Sequence, residues 1–352
     1  MTRPSPRGSL CPHLPSRLDA PEKESHAAGA RHDTPCQYFR HSGWSRNRCL
    51  VAESLARTGQ SLSRQDNFWD CGSYAYVLES VDHPGSYRVA GSACHDRFCL
   101  PCAQERSFVI AANVHDAIHG KEIRFVTLTV KTDGLSLKES LTKLYKAFAA
   151  LRRRRWIQRR MWGGVAFLEI KWSAKSERWH PHLHCLTTGI YLAKRELSAI
   201  WHQITGDSFI VDIQRPKNED DVCRYVTKYA SKPFDNTFLG RPNLLDEAIV
   251  AMRGRKLAMT WGSWRGLQLT ATQDDGQWVH VAPLSVVVAA AAAGDPAMLS
   301  IVRTLWTGAI NDLLSRAPPA NQGPCVEVLH TSQATFFSQW SGDGSWQQPR
   351  TF

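Results

Sequence analysis

The sequence predicts an α+β fold, in which helices flank a central antiparallel sheet and a small zinc-binding element precedes it. Residues 165–172 and 182–188 have strand patterns, and the short connection at 173–178 makes them antiparallel neighbours. Residues 137–151 carry leucines and aromatic residues at helical spacing, directly after a capping-box sequence at Ser136. A group of cysteines between positions 71 and 102, ahead of these segments in the chain, predicts the N-terminal zinc-binding element.

The remaining elements follow in chain order. Helices are predicted at 103–118, 191–204 and 218–232, and a last helix opens at Asp295-Pro296. Strands are predicted at 123–130, 209–214, 256–260 and 267–270, the last two around a turn at 262–266. Residues 236–252 form a connection without a clear pattern.

Four segments are predicted along the chain. Residues 1–66 are basic and largely disordered, with one short helix near 52–57. Residues 67–118 hold the cysteine-rich element and a helix, and residues 119–275 form the α+β core. Residues 276–352 supply a C-terminal helix and a tail rich in Pro, Gly, Ser and Gln.

Composition narrows the class of partner. The chain has 352 residues and a formal net charge of +11, which favours a polyanionic partner. The longest apolar run, residues 286–293, is far short of the roughly 20 residues that span a bilayer. Residues 1–30 lack the continuous apolar stretch of a secretory signal. We therefore expect a cytoplasmic protein whose cysteines are thiols or metal ligands rather than disulfides.

The cysteine spacing predicts a structural zinc site. Cys94, Cys99 and Cys102 place three thiols within reach of one ion, and Cys71 completes a tetrahedral set. Two short strands, at 74–78 and 87–90, connect the two halves. His95 is an alternative fourth ligand, and free buried cysteines are the alternative to a metal site.

Two histidines on one strand predict a second metal site. His182 and His184 share a face of their strand because strand side chains alternate. Glu169, on the neighbouring strand, is the candidate for a third ligand. Imidazoles with a carboxylate suit Mn²⁺ and, less well by ligand hardness, Mg²⁺. Alternatively, the two histidines bind no metal, and Glu169 is an exposed strand residue without a functional role.

The helix at 218–232 carries tyrosines and lysines along one flank. Asn218 caps it, acidic residues fill its first turn and Pro233 ends it. The flank consists of residues at i, i+4 and i+8 with two neighbouring lysines: Asp221, Tyr225, Tyr229, Lys228 and Lys232. Alternatively, the second of the two tyrosines only packs against its neighbours and takes no part in the chemistry.

The C-terminal end of the helix that begins after Ser136 carries a run of arginines. It comprises Arg152, Arg153, Arg154, Arg155, Arg159 and Arg160, with Trp156 among them. In so basic a chain the run predicts phosphate contacts with base stacking, and a solvated charged face is the alternative. Gly163-Gly164 is expected to end this helix.

Three ordered motifs resemble the HUH endonucleases, and among them the replication initiators of rolling-circle plasmids. They are Phe125-Val126-Thr127-Leu128-Thr129, His180-Pro181-His182-Leu183-His184 and Lys228-Tyr229-Ala230-Ser231-Lys232-Pro233. The repeated Tyr-x-x-Lys spacing is also similar to that of the two-tyrosine initiators of small phages. The resemblance covers about residues 70–270 and implies a core like that of RRM and ferredoxin-like domains.

The resemblance implies an enzyme that nicks single-stranded or hairpin origin DNA with Mg²⁺ or Mn²⁺. A tyrosine would keep the 5′ phosphate, the free 3′ hydroxyl would prime synthesis by the host helicase and polymerase in a bacterial cytoplasm, and the strand would later be rejoined. Either Tyr225 and Tyr229 alternate, or Tyr225 attacks with Asp221 in the place of the family's acid. The motif match favours Tyr229 as indispensable, and Lys228 and Lys232 would favour the phenolate.

Four other functions fit the same residues. A rolling-circle transposase shares the motifs, whereas a mobilisation relaxase usually has a third histidine and an N-terminal tyrosine. A non-catalytic zinc-containing DNA-binding regulator would retain only the fold. A metallohydrolase that activates water with His182 and His184 would cut DNA without a covalent adduct.

Overall fold

The computed structural model describes residues 34–231, 237–271, 276–317 and 334–337. The helices are α1 (Pro35–His41), α2 (Ser45–Arg57), α3 (Leu62–Trp69), α4 (Leu100–Ile118), α5 (Leu137–Leu151), α6 (Arg155–Gln158), α7 (Lys194–Thr205), α8 (Glu219–Ser231), α9 (Pro242–Ala251), α10 (Leu284–Ala292), α11 (Pro296–Leu305) and α12 (Ile310–Leu314). The strands are β1 (Ala75–Ser80), β2 (Tyr87–Ser92), β3 (Ile123–Thr129), β4 (Met161–Ser173), β5 (Arg178–Gly189), β6 (Val211–Gln214), β7 (Ala258–Gly262), β8 (Trp278–Pro283) and β9 (Ala334–Phe337).

The chain forms two compact units, 1–95 with 275–352, and 96–274. Antiparallel sheets flanked by helices confirm the predicted α+β class. These units differ from the four predicted segments. The predictions for residues 1–33, 318–333 and 338–352 lie outside the described residues. No helix in the described ranges is long and apolar enough to cross a membrane.

The first unit contains a four-stranded sheet in the order β8-β1-β2-β9. Its core joins Val77 and Val89 of the sheet to Val287 and Val288 of α10 and Val302 of α11. The sequence predicts β1, β2 and α11, whose N-terminus Asp295 caps as expected. It does not predict β8 or β9, because their pairing with β1 and β2 joins segments that are far apart in the chain.

Three helices occupy the region where one short helix is predicted, so the expectation of a largely disordered segment is corrected for 35–57 and 62–69. Thr34 and Gln37 form a capping box at the start of α1, and Ser61 caps α3. The helices are hard to recognise because they bury Arg40 and Arg48, at 7% and 2% exposure, rather than a continuous apolar stripe.

The second unit contains a five-stranded antiparallel sheet in the order β6-β3-β5-β4-β7. Helices α4 and α8 pack against one face through a shared core, which includes Val114, Phe125, Phe167, Leu186 and Val226. Helix α5 contacts β5, and α7 and α9 pack against α5. The capping box at Ser136 and the helix that it starts are confirmed.

Two local predictions in this unit are wrong. Residues 267–270 are not a strand; Leu267 and Leu269 instead pack on the core beside Trp264, so their alternation reflects packing on one side. Gly163 and Gly164 do not end the helix expected to carry the arginines, because α5 already ends at Leu151 and both glycines lie within β4. A Cβ on Gly164 would lie 2.0 Å from the Leu186 carbonyl oxygen, so the close approach of β4 and β5 requires glycine there.

Candidate active site

Strand β5 carries both histidines in the middle of the sheet of the second unit. On one side, His182 pairs with Glu169 of β4 and His184 with Phe167. On the other side, they pair with Thr129 and Thr127 of β3. Directly opposed residues of antiparallel strands point to the same face. The predicted common face of His182, His184 and Glu169 is therefore present.

Hydrogen bonds tie these side chains together. His184 Nε2 lies 2.8 Å from Glu169 Oε2, and both residues are buried, at 6% and 7% exposure. Thr127 Oγ1 lies 3.3 Å from His184 Nδ1. Thr129 Oγ1 lies 2.9 Å from His182 Nδ1. Each imidazole thus has a threonine hydroxyl on its Nδ1 atom.

Burial sets the charge states. It lowers the pKa of His182 to about 4, with the neighbouring His184 adding to the effect. Burial also lowers the pKa of His184, against the opposing hydrogen bond with Glu169. Burial by itself would raise the pKa of Glu169, but His184 and Lys171, whose Nζ is 3.2 Å from Oε1, together lower it. At neutral pH the site therefore combines two neutral imidazoles with one carboxylate.

Helix α8 brings both tyrosines to this face. The ring of Tyr229 stacks on the ring of His184, with centroids 3.5 Å apart and planes 14° apart. The Tyr225 hydroxyl lies 3.4 Å from His184 Nδ1, and its ring stacks on Phe125 at 3.8 Å. Burial, with smaller effects of Cys185 and Tyr229, raises the pKa of Tyr225 well above its usual value.

The other predicted residues of α8 have different surroundings. The Asp221 carboxylate is bound by the guanidinium of Arg224 and by the Lys217 amide at 2.8 Å, and Arg224 is the main cause of its lowered pKa. The Asn218 side chain accepts a hydrogen bond from the Asp221 amide, as expected of an N-cap. Lys228 Nζ lies 4.9 Å from the Tyr229 ring centroid. Lys232 and Pro233 lie outside the described residues.

The predicted Mg²⁺ or Mn²⁺ site is only partly assembled. Among the described residues, four cysteines are the one group whose potential ligand atoms all approach within 4.8 Å, and the set His182, His184 and Glu169 does not meet that spacing. The imidazole centroids are 6.1 Å apart. The donors themselves fit a divalent cation, because ligating imidazoles must be neutral and carboxylates ionised.

The cysteine cluster is assembled as predicted. Sulfurs of Cys71, Cys94, Cys99 and Cys102 lie within 4.8 Å of one another, and the group contains Cys71 rather than His95. Four thiolates at this spacing could hold a metal such as zinc. Arg40, which sequence reasoning missed, donates from Nε to Cys71 Sγ at 3.2 Å. A helix-borne arginine far from the cysteines in sequence gives no local signal of this contact.

The arginine run follows α5 and includes α6. Arg152 lies over the Phe148 ring at 4.7 Å, and Arg160 lies over the Trp156 ring at 4.4 Å. The other four side chains are exposed: Arg153, Arg154, Arg155 and Arg159.

Sequence reasoning also assigned no role to the β3 residues that contact the site. Phe125, Thr127 and Thr129 belong to the first of the three motifs and alternate along β3. Their alternation, opposite a strand with histidines at the same period, is the signal that could have identified them.

Comparisons with known proteins match the part of the chain that holds these residues. A family described as "Replication protein" matches residues 88–262. A protein named "Protein rep" from Staphylococcus aureus is 24% identical over 194 residues, which cover 49% of this chain and 84% of that protein. Another "Protein rep", from Streptococcus pneumoniae serotype 2 (strain D39 / NCTC 7466), is 25% identical over 197 residues, covering 49% of this chain and 61% of that protein. No solved structure matches the chain.

The matched segment contains every residue of the His184 site described above. It begins within β2 and ends with β7, so it includes the whole five-stranded sheet and α8. These matches confirm the resemblance to the replication initiators of rolling-circle plasmids, and residues 88–262 are similar to the replication protein family.

Proposed function

We propose that the protein initiates rolling-circle replication by nicking one strand of single-stranded or hairpin origin DNA with a tyrosine. The observation that carries the proposal is the convergence of two phenols on one imidazole that is itself bound to a buried carboxylate. Tyr229 stacks on His184, Tyr225 reaches its Nδ1 atom, and Glu169 binds its Nε2 atom. A purely structural pair of tyrosines would not need this buried polar partner.

The reaction exchanges one phosphate ester for another. The phenolic oxygen attacks the phosphorus and its proton passes to a base, while the bond to the 3′ oxygen breaks and that oxygen takes up a proton. The products are a 5′-phosphotyrosine and a free 3′ hydroxyl. His184 is not this base, because an imidazole that holds the cation through Nε2 keeps its proton on Nδ1, the atom 3.4 Å from the Tyr225 hydroxyl. The proton passes to solvent water. Reversal of the step rejoins the strand.

A divalent cation would be held by His182, His184 and Glu169. When bound, Mg²⁺ or Mn²⁺ supplies Lewis-acid polarisation of the scissile phosphate and fixes it for in-line attack. The side chains prepare for this before any cation binds. Burial keeps both imidazoles neutral, and Lys171 favours the ionised form of Glu169.

The two tyrosines have unequal surroundings, which favours Tyr229 as the primary nucleophile. Tyr225 is stacked on Phe125 and its pKa is raised by burial, so its phenolate is costly to form. Tyr229 instead stacks on the His184 ring and has the exposed ammonium of Lys228 4.9 Å from its ring centroid, where it can neutralise charge on the attacked phosphate. Tyr225 then serves either as an alternate nucleophile or, in the second scheme, attacks while Asp221 activates water to end the reaction.

The test is a denaturing gel of protein incubated with candidate origin strands and Mn²⁺. Wild type is expected to form a covalent protein–DNA band, Tyr229→Phe to lose it, and Tyr225→Phe to retain first-turnover cleavage. Tyr191→Phe is the matched control, because Tyr191 is 73% exposed and lies outside the site. A band that persists in the double variant Tyr225→Phe/Tyr229→Phe contradicts the assignment of the nucleophile.

The same gel separates the competing functions. Cleavage without an adduct indicates a metallohydrolase, and DNA binding without cleavage indicates a regulator. A nick followed by joining of two unrelated DNA ends indicates a transposase. As an initiator in the bacterial cytoplasm, the protein would pass the free 3′ end to the host helicase and polymerase.

A further inference from the structure

We propose that Thr127 and Thr129 are positioning residues, which fix the rotation of the two imidazoles so that each ring offers Nε2, and not Nδ1, to the cation. The inference rests on the proposed metal-assisted function. It gives a role to the Phe125–Thr129 motif, which the nicking chemistry does not otherwise use. The same contact occurs at both histidines, at 3.3 Å for His184 and 2.9 Å for His182.

The register of the sheet makes the two contacts equivalent. β3 pairs with β5 so that Thr127 opposes His184 and Thr129 opposes His182. Each threonine is two residues from the next, and so is each histidine, so the strand period places one hydroxyl beside each Nδ1 atom. A single strand thus orients both members of the pair.

A hydroxyl is suited to this position because it can donate or accept a hydrogen bond. His184 Nε2 lies 2.8 Å from Glu169 Oε2 and Nδ1 lies 3.3 Å from Thr127 Oγ1, so each ring nitrogen has one polar partner. Binding a cation at Nε2 requires the proton on Nδ1, and Thr127 Oγ1 then becomes the acceptor. Metal-bound histidines generally have such a partner for the second ring nitrogen.

Thr127 also joins the imidazole to the helix. The Tyr225 hydroxyl lies 3.4 Å from His184 Nδ1, the same atom that Thr127 Oγ1 approaches at 3.3 Å. Phe125, on the same face of β3, stacks on the Tyr225 ring with planes 6° apart. β3 therefore sets the place of one phenol relative to the histidines, in addition to the orientation of the histidines.

The experiment uses the full-length protein purified with zinc, and titrates it with Mn²⁺. Valine is isosteric with threonine but lacks the hydroxyl, whereas serine keeps the hydroxyl. We expect Thr129→Val and Thr127→Val each to weaken Mn²⁺ binding about tenfold or more. Thr129→Ser and Thr127→Ser should restore most of the affinity. Nitrogen chemical shifts of the imidazoles should show a mixture of tautomers in the valine variants only.

Thr187→Val is the matched control. Thr187 is a buried threonine of β5 that donates to the Gly163 carbonyl oxygen at 2.9 Å, at a position that alternates with the histidines. Its replacement should lower the melting temperature without changing the Mn²⁺ affinity. Equal Mn²⁺ affinity in wild type and both threonine-to-valine variants overturns this inference alone. A wild type that neither binds Mn²⁺ nor forms the covalent adduct overturns the proposed function and this inference with it.

Discussion

At the scale of single residues, burial decides which titratable groups are charged, and it acts differently on each type. It lowers the pKa of His182 and so keeps a potential ligand neutral. It raises the pKa of Cys185 and Tyr225 and so keeps them protonated. Glu169 stays ionised because two neighbours compensate for its desolvation. The site therefore obtains its charge pattern from packing as much as from residue types.

The same effect of burial predicts that the stability of the fold depends on pH through Cys36, which lies in the core of the first unit. Burial raises the pKa of this thiol from 9.0 to about 11. Above pH 9 the unfolded chain releases the proton while the folded chain retains it, so stability is lost as pH rises towards 11. The loss is at most about 3 kcal/mol. Urea unfolding under reducing conditions at pH 8 and pH 10.5 measures it.

A cysteine-to-alanine pair isolates this effect. Cys36→Ala should reduce the difference in unfolding free energy between the two pH values. Cys49→Ala, on α2 and only partly buried, should leave it as in wild type. An unchanged difference in Cys36→Ala would assign the alkaline loss of stability to other groups.

At the scale of elements, the local signals were sufficient for the active-site sheet and not for the first unit. The alternation of β4 and β5 and the caps of α5 and α8 are properties of short segments, so they could be predicted from the sequence. The pairing of β1 with β8 depends on contacts between distant segments, and no local pattern encodes it. Likewise, the Thr–His contacts follow from the register of β3 with β5, which the sequence does not specify by itself.

The close approach of β4 and β5 at Gly164 predicts that a side chain at this position destabilises the protein. An added Cβ would meet the Leu186 carbonyl oxygen at 2.0 Å and the Thr187 Cα at 2.9 Å, both rigid backbone atoms of β5. Gly164→Ala should therefore separate β4 from β5 and lower the free energy of unfolding by about 3 kcal/mol or more. Gly240→Ala is the control for the loss of a glycine without a clash, because nothing lies within 4 Å of its added Cβ and its φ is not positive. Urea unfolding followed by tryptophan fluorescence compares the two, and similar losses would exclude the clash as the cause.

At the scale of the whole molecule, the excess positive charge has both a general and a local component. The net charge of +11 attracts any polyanion and raises the rate of encounter with DNA. The local component is the position of individual exposed cations, which determines where phosphates bind. In the arginine run, Arg152 and Arg160 lie over aromatic rings, so four exposed guanidinium groups are left as the stronger candidates for phosphate contacts.

The contrast between four exposed arginines and the general net charge predicts how salt affects DNA binding. Each phosphate contact to a single strand contributes about 0.7 to the slope of log affinity against log salt concentration, because it releases counterions. Changing Arg153, Arg154, Arg155 and Arg159 together to Gln should reduce the magnitude of that slope by up to about 3. The charge-matched control changes four exposed cations elsewhere to Gln: Arg46, Arg57, Lys138 and Arg303. Fluorescence anisotropy with a labelled single strand at several salt concentrations measures both. If the control lowers the slope as much as the arginine-run variant, the contribution is from net charge, and the run is a solvated face.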